Sequence, residues 1–181
     1  MYPRTRASDP THPSESAPSV SELVELLVGG LESDAYMILE PGRSLVAQAG
    51  VTLYRVGSVK RAGEKIWAAV DGGLSDNPRP QLYGARYSAV LANRASEEPA
   101  FTIGIAGRHC ESGDVLAEDD ALPPDLRRGD LLAIAATGAY TYALANAYNR
   151  VGRPAVVAVR AGRVTPWLRR EDPAAMDRLG R

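Results

Sequence analysis

The stretch SLVAQAGVTLYRVGSVKRAGEKIWAAVDGG (44–73) contains two β-prone runs, each ending at glycine or at a polar turn. Valine, isoleucine and aromatic residues favour strands, whereas glycine, asparagine and aspartate end them. Five further runs of the same kind follow: YSAVLANRA (87–95), PAFTIGIAG (99–107), DLLAIAATG (130–138), AVVAVRAG (155–162) and RVTPWLRR (163–170). Their number and spacing predict a closed or sandwich-like antiparallel domain. One helix is expected to interrupt it, at AYTYALANAYN (139–149).

Upstream of this region the pattern is different. Residues 1–18 are rich in proline, serine and threonine, which predicts a flexible arm. Leucines at helical spacing after Ser19 predict a helix, and AYMILEPGR (35–43) predicts a short apolar strand. A helix that leads into a buried strand is one α/β unit, and no second unit follows. We therefore expect an arm (1–18), a lone α/β unit (19–40) and a mainly β domain (41–181).

Composition argues against several classes of protein. The formal net charge is −1 and no block of Lys or Arg stands out, so binding to nucleic acid or to a membrane surface has little electrostatic support. No apolar run approaches the roughly 20 residues that cross a bilayer, and the N-terminus has no apolar signal region. One cysteine cannot form an internal disulfide, so a reducing cytoplasm is the simplest setting. With only two histidines, far apart, no metal site is expected.

Four polar stretches lie at the ends of predicted strands, where loops on a rigid scaffold commonly carry function. They are LEPGR (39–43), DGGLSDNPRPQLYGARY (71–87), GRHCESGDVL (107–116) and TGAYTYALANAYN (137–149). Cys110 taken alone is more often a buried apolar residue. Beside His109 and Glu111 in a glycine-containing loop, however, a thiol can exchange a proton. His109 itself is given no role. Arg79 stands between two prolines, which suits a fixed contact with a carboxylate, although a plain surface arginine is equally expected.

In this order the four stretches resemble the diaminopimelate decarboxylases, which are pyridoxal-phosphate enzymes of the alanine-racemase and ornithine-decarboxylase class (fold type III). EPGR is shared with other basic amino-acid decarboxylases, whereas DGGLSDNPRPQLYGA together with CESGD is highly specific. The resemblance covers roughly residues 35–170. It implies an N-terminal (β/α)8 barrel that carries the cofactor lysine, a C-terminal β-barrel or sandwich domain, and a homodimer whose active site is shared between subunits.

A full (β/α)8 barrel needs about 200 residues or more. This chain has room only for the last unit of such a barrel, and neither Lys60 nor Lys65 lies in a motif that matches the cofactor lysine. We therefore expect the chain to be the C-terminal part of the enzyme, as a fragment or a split subunit. Without the lysine-bearing barrel it is expected to be inactive.

The resemblance also implies roles for individual residues. Glu40 corresponds to the residue that meets the ring nitrogen of pyridoxal 5′-phosphate, and Cys110 to an acid that reaches the partner subunit's site and protonates Cα. A free thiol is largely protonated at neutral pH, so it starts in the state that donates. The cofactor-binding residues are Glu40, Pro41, Gly42, Arg43 and Tyr140. The substrate-binding residues are Arg43, Arg79, Tyr83, Glu111 and Tyr140.

The distal end of the substrate helps to choose between relatives. Meso-diaminopimelate carries an ammonium and a carboxylate at its far end, for which Glu111 supplies the negative partner and Arg79 with Arg43 the positive ones. In ornithine-type relatives an acid follows the tyrosine equivalent to Tyr83, whereas this chain has Gly84. Such polar matching discriminates by on the order of 10⁴-fold, which favours conversion of meso-diaminopimelate to L-lysine. Two alternatives stay open: a decarboxylase of another amino acid (ornithine or arginine type), and a non-catalytic partner module of a full-length decarboxylase.

Overall fold

A computed structural model of the chain describes residues 19–30, 36–94 and 101–176, and the chain divides into two units, Met1–Pro41 and Gly42–Arg181. The first unit contains helix α1 (Val20–Gly29). Its start is a capping box: the Glu22 N–H donates to Ser19 Oγ (3.2 Å) and the Ser19 N–H donates to Glu22 Oε2 (2.6 Å). Two backbone donors that the helix cannot satisfy are thereby paired. The helix predicted after Ser19 is confirmed.

The strand predicted over 35–43 is wrong for its described part. Residues 36–42 have no regular secondary structure, and Arg43 begins a helix. A strand needs a neighbour for its N–H and C=O groups, and the described part of the first unit contains no other strand. The predicted arm (1–18) lies outside the described residues, and the division at residue 40 stays a prediction.

The second unit is built on a six-stranded sheet with strand order β3-β6-β1-β2-β4-β5. Neighbouring strands are antiparallel except β2 and β4, which are parallel. The two edge strands approach each other, because the Ala89 N–H of β3 donates to the Asp120 carboxylate of β5, so the sheet is nearly closed. The six strands are β1 (Thr52–Ala62), β2 (Lys65–Val70), β3 (Ala89–Leu91), β4 (Phe101–Ala106), β5 (Val115–Leu122) and β6 (Leu131–Ile134).

A separate antiparallel hairpin and several short helices complete the unit. The hairpin consists of β7 (Val156–Arg160) and β8 (Arg163–Leu168). The short helices are α2 (Arg43–Val46), α3 (Arg79–Tyr83) and α4 (Pro173–Met176). None of the helices in the described ranges has the length and apolar character that a membrane-spanning helix requires.

The core lies against the inner face of the six-stranded sheet. In β1, Tyr54 and Val56 are buried while Leu53 and Arg55 are exposed, which is the alternation of a strand with one face in the core. Full burial of one such aliphatic side chain stabilises the fold by about 1.5–3 kcal/mol. Other apolar core residues are Ala68, Val70, Ala89, Leu91, Ile103, Ile105, Leu116, Leu122, Leu126, Leu132 and Ile134. The predicted mainly β architecture is confirmed.

Each of the seven β-prone runs contains a strand, but three details differ from the prediction. Residues 44–49 at the start of the first run are helical. The pairing of β2 with β4 is parallel rather than antiparallel. Strand β5 was not predicted, because its sequence VLAEDDAL carries three consecutive acids and does not have the apolar character of the other runs.

The helix predicted over 139–149 is also wrong. This segment forms two single 3₁₀ turns, Tyr142–Leu144 and Tyr148–Arg150. Tyr140 and Asn149 have φ values of 57° and 52°, which an α-helix does not accommodate. The periodic alanine, leucine and tyrosine side chains therefore follow a loop that is fixed by bonds to neighbouring segments.

All the loops of interest lie at one end of the six-stranded sheet, which we call the loop end. Strand register places the starts of β1, β3 and β5 and the ends of β2, β4 and β6 there. The loop end therefore carries segments 42–51, 71–88, 107–114 and 135–150. The β1–β2 turn, flanked by Lys60 and Lys65, is at the opposite end.

Candidate active site

Arg43 and Tyr140 form the first pair of predicted site residues that the structure brings together. The Arg43 guanidinium lies 5.7 Å from the centre of the Tyr140 ring. It donates to the carbonyl oxygens of Ala136 (3.5 Å) and Ala139 (3.3 Å), which fixes its position against the 135–150 loop. A Cβ added to Gly42 would meet the Tyr140 hydroxyl, so a side chain at this position would displace the Tyr140 ring. A cation and a phenol are thus held side by side.

This pair fits the phosphate end of pyridoxal 5′-phosphate. A guanidinium has five N–H donors and binds phosphate through two of them, and two of the five are used by the carbonyl contacts. Glu40 and Pro41, predicted to lie at the cofactor as well, belong to the first unit, in which Glu40 is exposed.

Neither lysine lies near the Arg43–Tyr140 pair. Lys60 and Lys65 both lie next to the β1–β2 turn, at the end of the sheet opposite the loop end. Lys65 Nζ is 3.4 Å from Asp119 Oδ1 and 4.8 Å from the centre of the Trp67 ring. The second unit therefore has no lysine at the loop end for covalent attachment of the cofactor.

Arg79 and Tyr83 form the second pair, on helix α3. They are four residues apart, so they lie on the same face of the helix, and the Arg79 Cζ is 5.1 Å from the centre of the Tyr83 ring. Arg79 Nε is buried and has no hydrogen-bond partner among the described residues. The backbone around Arg79, expected to be stiff because of its two flanking prolines, forms a short helix. That helix ends at Gly84, where φ is +60°.

Cys110 and Glu111 are neighbours on the 107–114 loop, and both are exposed. The Glu111 carboxylate accepts hydrogen bonds from the Gly113 N–H (3.2 Å) and from the Tyr148 hydroxyl (3.4 Å). The Gly113 bond chiefly, with smaller contributions from Ser112 and Tyr148, holds the pKa of Glu111 below its ordinary value. Glu111 is therefore a solvent-facing negative charge at neutral pH.

Beneath Cys110 lies a buried pair that was not predicted as functional, His109 and Asp114. Their side chains are 0% and 2% exposed, and His109 Nδ1 is 2.6 Å from Asp114 Oδ2. The same carboxylate accepts the backbone N–H groups of His109 (2.8 Å) and Leu74 (2.7 Å). A Cβ at Gly107 would collide with Asp114, so this residue has to be glycine. The pair binds the 107–114 loop to the 71–77 loop.

Further buried polar groups surround this pair. Asp76 accepts the Gly73 N–H (3.0 Å) and the Ser75 hydroxyl (3.3 Å), and its burial raises the pKa of its carboxyl group. Burial likewise raises the pKa of Tyr54, whose hydroxyl has no hydrogen-bond partner among the described residues. We call this set the buried polar layer: Tyr54, Asp76, Asn77, His109 and Asp114.

Hydrogen bonds connect the three loops above the layer. The Arg108 N–H donates to the Gly72 carbonyl (2.9 Å), and the Asn146 N–H donates to the Ser75 carbonyl (2.9 Å). Gln81 Nε2 of α3 donates to the carbonyls of Gly113 (2.7 Å) and Val115 (2.8 Å). The elements that carry Arg79, Cys110 and Tyr140 are therefore parts of one bonded assembly.

The structure thus gathers the predicted site residues of the second unit at the loop end, as three pairs. Within the described ranges, no hydrogen bond or ring contact joins one pair directly to another. The joining residues were missed: His109, Asp114, Gln81, Asn146 and Tyr148. A usable signal was present in ESGD (111–114), because an aspartate after serine and glycine commonly closes a turn, and here the Asp114 N–H donates to the Glu111 carbonyl (3.1 Å).

Known proteins share this sequence and fold. The family model of the pyridoxal-dependent decarboxylase C-terminal sheet domain matches residues 18–138. A curated diaminopimelate decarboxylase of Actinosynnema pretiosum subsp. auranticum is 59% identical over 133 residues, which cover 74% of this chain and 30% of that protein. The one of Bacillus subtilis is 47% identical over 169 residues, covering 92% and 38%.

A solved structure agrees with these sequence matches. The crystal structure of diaminopimelate decarboxylase from Helicobacter pylori complexed with L-lysine has a TM-score of 0.78 and 29% identity, over 93% of this chain and 41% of that one. The chain spans about a third of the length of the curated relatives it matches.

Proposed function

Because the chain belongs to the family of the C-terminal sheet domain of pyridoxal-dependent decarboxylases, we propose that it is the sheet domain of an enzyme that converts meso-diaminopimelate to L-lysine and carbon dioxide. The observation that carries this proposal is the assembly of three residue pairs at one end of the sheet. A sheet domain without a site has no need of an exposed thiol, an exposed carboxylate and two arginine–tyrosine pairs on loops that are bonded to one another.

The residues divide the work according to their charge. Bound pyridoxal phosphate supplies a sink for the two electrons that stay at the substrate Cα when carbon dioxide departs. Arg43 and Tyr140 hold the cofactor phosphate, and Glu40 meets the ring nitrogen. The Cys110 thiol would donate its proton to Cα after carbon dioxide departs, and the thiolate left behind would regain a proton from solvent.

Recognition of the distal end of the substrate follows from the other charges. Glu111, ionised and exposed, binds the distal ammonium. Arg79 binds the distal carboxylate, because its guanidinium is held beside Tyr83 on a short helix. An ornithine-type substrate has no distal carboxylate and would leave Arg79 without a partner.

The proposal includes two partners. A barrel domain supplies the lysine, since neither Lys60 nor Lys65 lies at the loop end. A second copy of the chain completes the site, with Cys110 and Glu111 of one subunit reaching the other. The enzyme is expected to act in the cytoplasm, where the Cys110 thiol stays reduced.

A chimera tests the proposed function. The chain replaces the matched segment of the Actinosynnema pretiosum relative, so that the barrel of that protein is retained, and the unaltered relative serves as the positive control. We expect release of carbon dioxide and formation of L-lysine from meso-diaminopimelate, with ornithine, arginine and lysine turned over at least about 10³-fold more slowly. A folded, cofactor-loaded chimera that prefers ornithine or arginine, or that decarboxylates nothing, would overturn the proposal.

Two substitutions in the chimera test the residue roles. Cys110→Ala should lower kcat by about 10²-fold or more, because a positioned proton donor is lost. Glu111→Gln should raise KM for meso-diaminopimelate, whereas Glu64→Gln at the opposite end of the sheet should leave it unchanged. An unaltered kcat for Cys110→Ala, or equal KM values for the two glutamine variants, contradicts the corresponding role.

A further inference from the structure

The loop that carries Cys110 and Glu111 is bound to the domain through buried side chains. Around the turn, the Gly107 N–H donates to the Asp114 carbonyl (2.7 Å) and the Asp114 N–H to the Glu111 carbonyl (3.1 Å). Below it, the Asp114 carboxylate accepts the backbone N–H of His109. Because that oxygen acts as an acceptor, the His109 Nδ1 beside it is the donor, and the plane of the imidazole is fixed.

Stability alone does not account for a histidine at this position. His109 Nε2 is buried and has no hydrogen-bond partner among the described residues, and an unsatisfied buried polar atom costs about 1–3 kcal/mol. Replacing a buried polar pair by well-packed apolar side chains is often neutral or stabilising. The pair is therefore better explained by the geometry it imposes than by the stability it adds.

The imidazole makes a second contact, on its Tyr148 side. The His109 and Tyr148 ring centres are 5.7 Å apart with planes at 55°, a tilted arrangement that aromatic pairs favour. The Tyr148 hydroxyl donates to Glu111 Oε2 (3.4 Å), and the Tyr148 N–H donates to Asn146 Oδ1 (2.9 Å). One line of contacts thus runs from Asp114 through His109 and Tyr148 to the Glu111 carboxylate.

We propose that His109 and Tyr148 are positioning residues, which set the direction of the Cys110 thiol and of the Glu111 carboxylate from below. His109, bonded to Asp114, fixes the backbone that carries the thiol. Tyr148, packed on His109, orients the carboxylate. This inference rests on the proposed function for its catalytic consequence, whereas the geometry itself is a property of the chain alone.

The geometry is tested first, by amide hydrogen exchange on the chain without cofactor. His109→Leu removes the donor to Asp114, whereas His109→Asn keeps a donor at the Nδ1 position. We expect residues 107–114 to exchange at least about 10-fold faster in His109→Leu than in His109→Asn, since about 1.4 kcal/mol or more of local stabilisation is lost. Residues 131–134 of β6, in the core, should be protected equally in both.

The amide protection of residues 107–114 decides whether His109 anchors the loop. Equal protection of 107–114 in the two variants, with β6 intact, overturns the anchoring role of His109. If His109→Leu fails to fold, the comparison of His109→Asn with the unaltered chain replaces it. If residues 107–114 of His109→Asn then exchange as fast as expected for His109→Leu, although the donor is retained, the hydrogen bond between His109 and Asp114 does not anchor the loop.

Kinetics of the chimera test the consequence. His109→Leu should lower kcat by about 10²-fold, because a displacement of about 1 Å at a reacting group has this cost, and His109→Asn should recover most of it. Tyr148→Phe should raise KM for meso-diaminopimelate by about 5-fold, the value of one hydrogen bond, with kcat within about 2-fold. A merely structural Tyr148 would change neither parameter selectively.

The two proposals fail in different ways. A chimera that is inactive with the unaltered chain ends the proposed function, and the exchange experiment still decides the anchoring role. An active chimera in which His109→Leu has unchanged kcat, or Tyr148→Phe unchanged KM, ends the positioning inference and leaves the proposed function standing.

Discussion

The loop end and the β7–β8 hairpin follow opposite patterns of burial. At the loop end, charged and polar side chains such as His109 and Asp114 are completely or almost completely buried. In the hairpin, Val159, Val164 and Trp167 are 68%, 63% and 71% exposed. The loop end thus buries polar groups away from water, whereas the hairpin leaves apolar groups in water.

The difference shows where the stability of the second unit is concentrated. The loop end is bonded to the six-stranded sheet and lies above its core, so a change there is transmitted to the core. A two-stranded sheet is only marginally stable by itself, and the exposed side chains of the hairpin bury little apolar area. Substitutions of the same type should therefore cost much more at the loop end or in the core than in the hairpin.

The largest expected contrast is between two glycines. Gly107→Ala places a Cβ against the Asp114 carboxylate, which is held by three hydrogen bonds and cannot move away. We expect a loss of about 3 kcal/mol in the free energy of unfolding, from overpacking and the broken bonds. Gly162→Ala, in the hairpin turn with φ +74° and open space around it, should cost only about 1 kcal/mol.

Urea unfolding measures the loss of free energy in both alanine variants. Unfolding is monitored by the fluorescence of Trp67 in a Trp167→Phe background, so that the signal reports the six-stranded sheet. Equal losses for the two alanine variants would remove the distinction between the two regions.

The next contrast uses one substitution at two valines. Val56 of β1 is 1% exposed and Val159 of β7 is 68% exposed. Val56→Ala should lower the free energy of unfolding by about 2 kcal/mol, because buried methyl groups are lost and a cavity remains. Val159→Ala should lower it by about 0.5 kcal/mol, through strand propensity alone. The same urea experiment applies, and a larger loss at Val159 would mean that the hairpin is not an independent surface element.

The same two regions explain how much could be predicted from sequence. Both strands of the hairpin and most of the sheet follow from β-branched runs ended by glycine or polar residues, and the family and the mainly β fold predicted from the motifs are confirmed. Local signals failed where distant partners decide the conformation. The Asp120 carboxylate of β5 accepts a hydrogen bond from the Ala89 N–H of β3. The acidic sequence of β5 gives no indication of this partner.

The same limit applies to the candidate site: local motifs could be recognised, but residues whose positions depend on distant partners could not. The members of the pairs, such as Cys110 and Arg79, belong to recognisable motifs, and their roles stay predictions. His109 gave no signal because a histidine in a polar loop is normally solvated. Its burial depends on Asp114 and on the close approach of Gly107, which only the assembled loops create.

A smaller effect is expected at the bond between α3 and the loop end. Gln81 Nε2 donates to two carbonyl oxygens, of Gly113 and Val115. Gln81→Leu should lower the free energy of unfolding by about 1 kcal/mol and speed amide exchange in 107–114, because both bonds are partly exposed and replaceable by water. Gln48→Leu, at another exposed glutamine, is the matched control. Equal exchange in the two variants would show that α3 does not support the loop.

The smallest effect is a dependence on pH at the buried polar layer. Burial raises the pKa of Asp76 above its ordinary value, only partly offset by its bonds to Gly73 and Ser75. The folded chain therefore holds this proton more tightly than the unfolded chain, so unfolding releases it, and the contribution of Asp76 to stability falls as pH rises from the ordinary aspartate range through the raised pKa. Asp76→Asn is always neutral and lacks this slope. The variant should gain stability relative to the unaltered chain between pH 4 and pH 7 in urea titrations.

Asp120→Asn should behave in the same sense, because burial also raises the pKa of Asp120. Neither residue has a counterpart in the hairpin, where β8 is exposed throughout. A difference between Asp76→Asn and the unaltered chain that shrinks or reverses as pH rises would mean that the hydrogen bonds of Asp76 outweigh its burial.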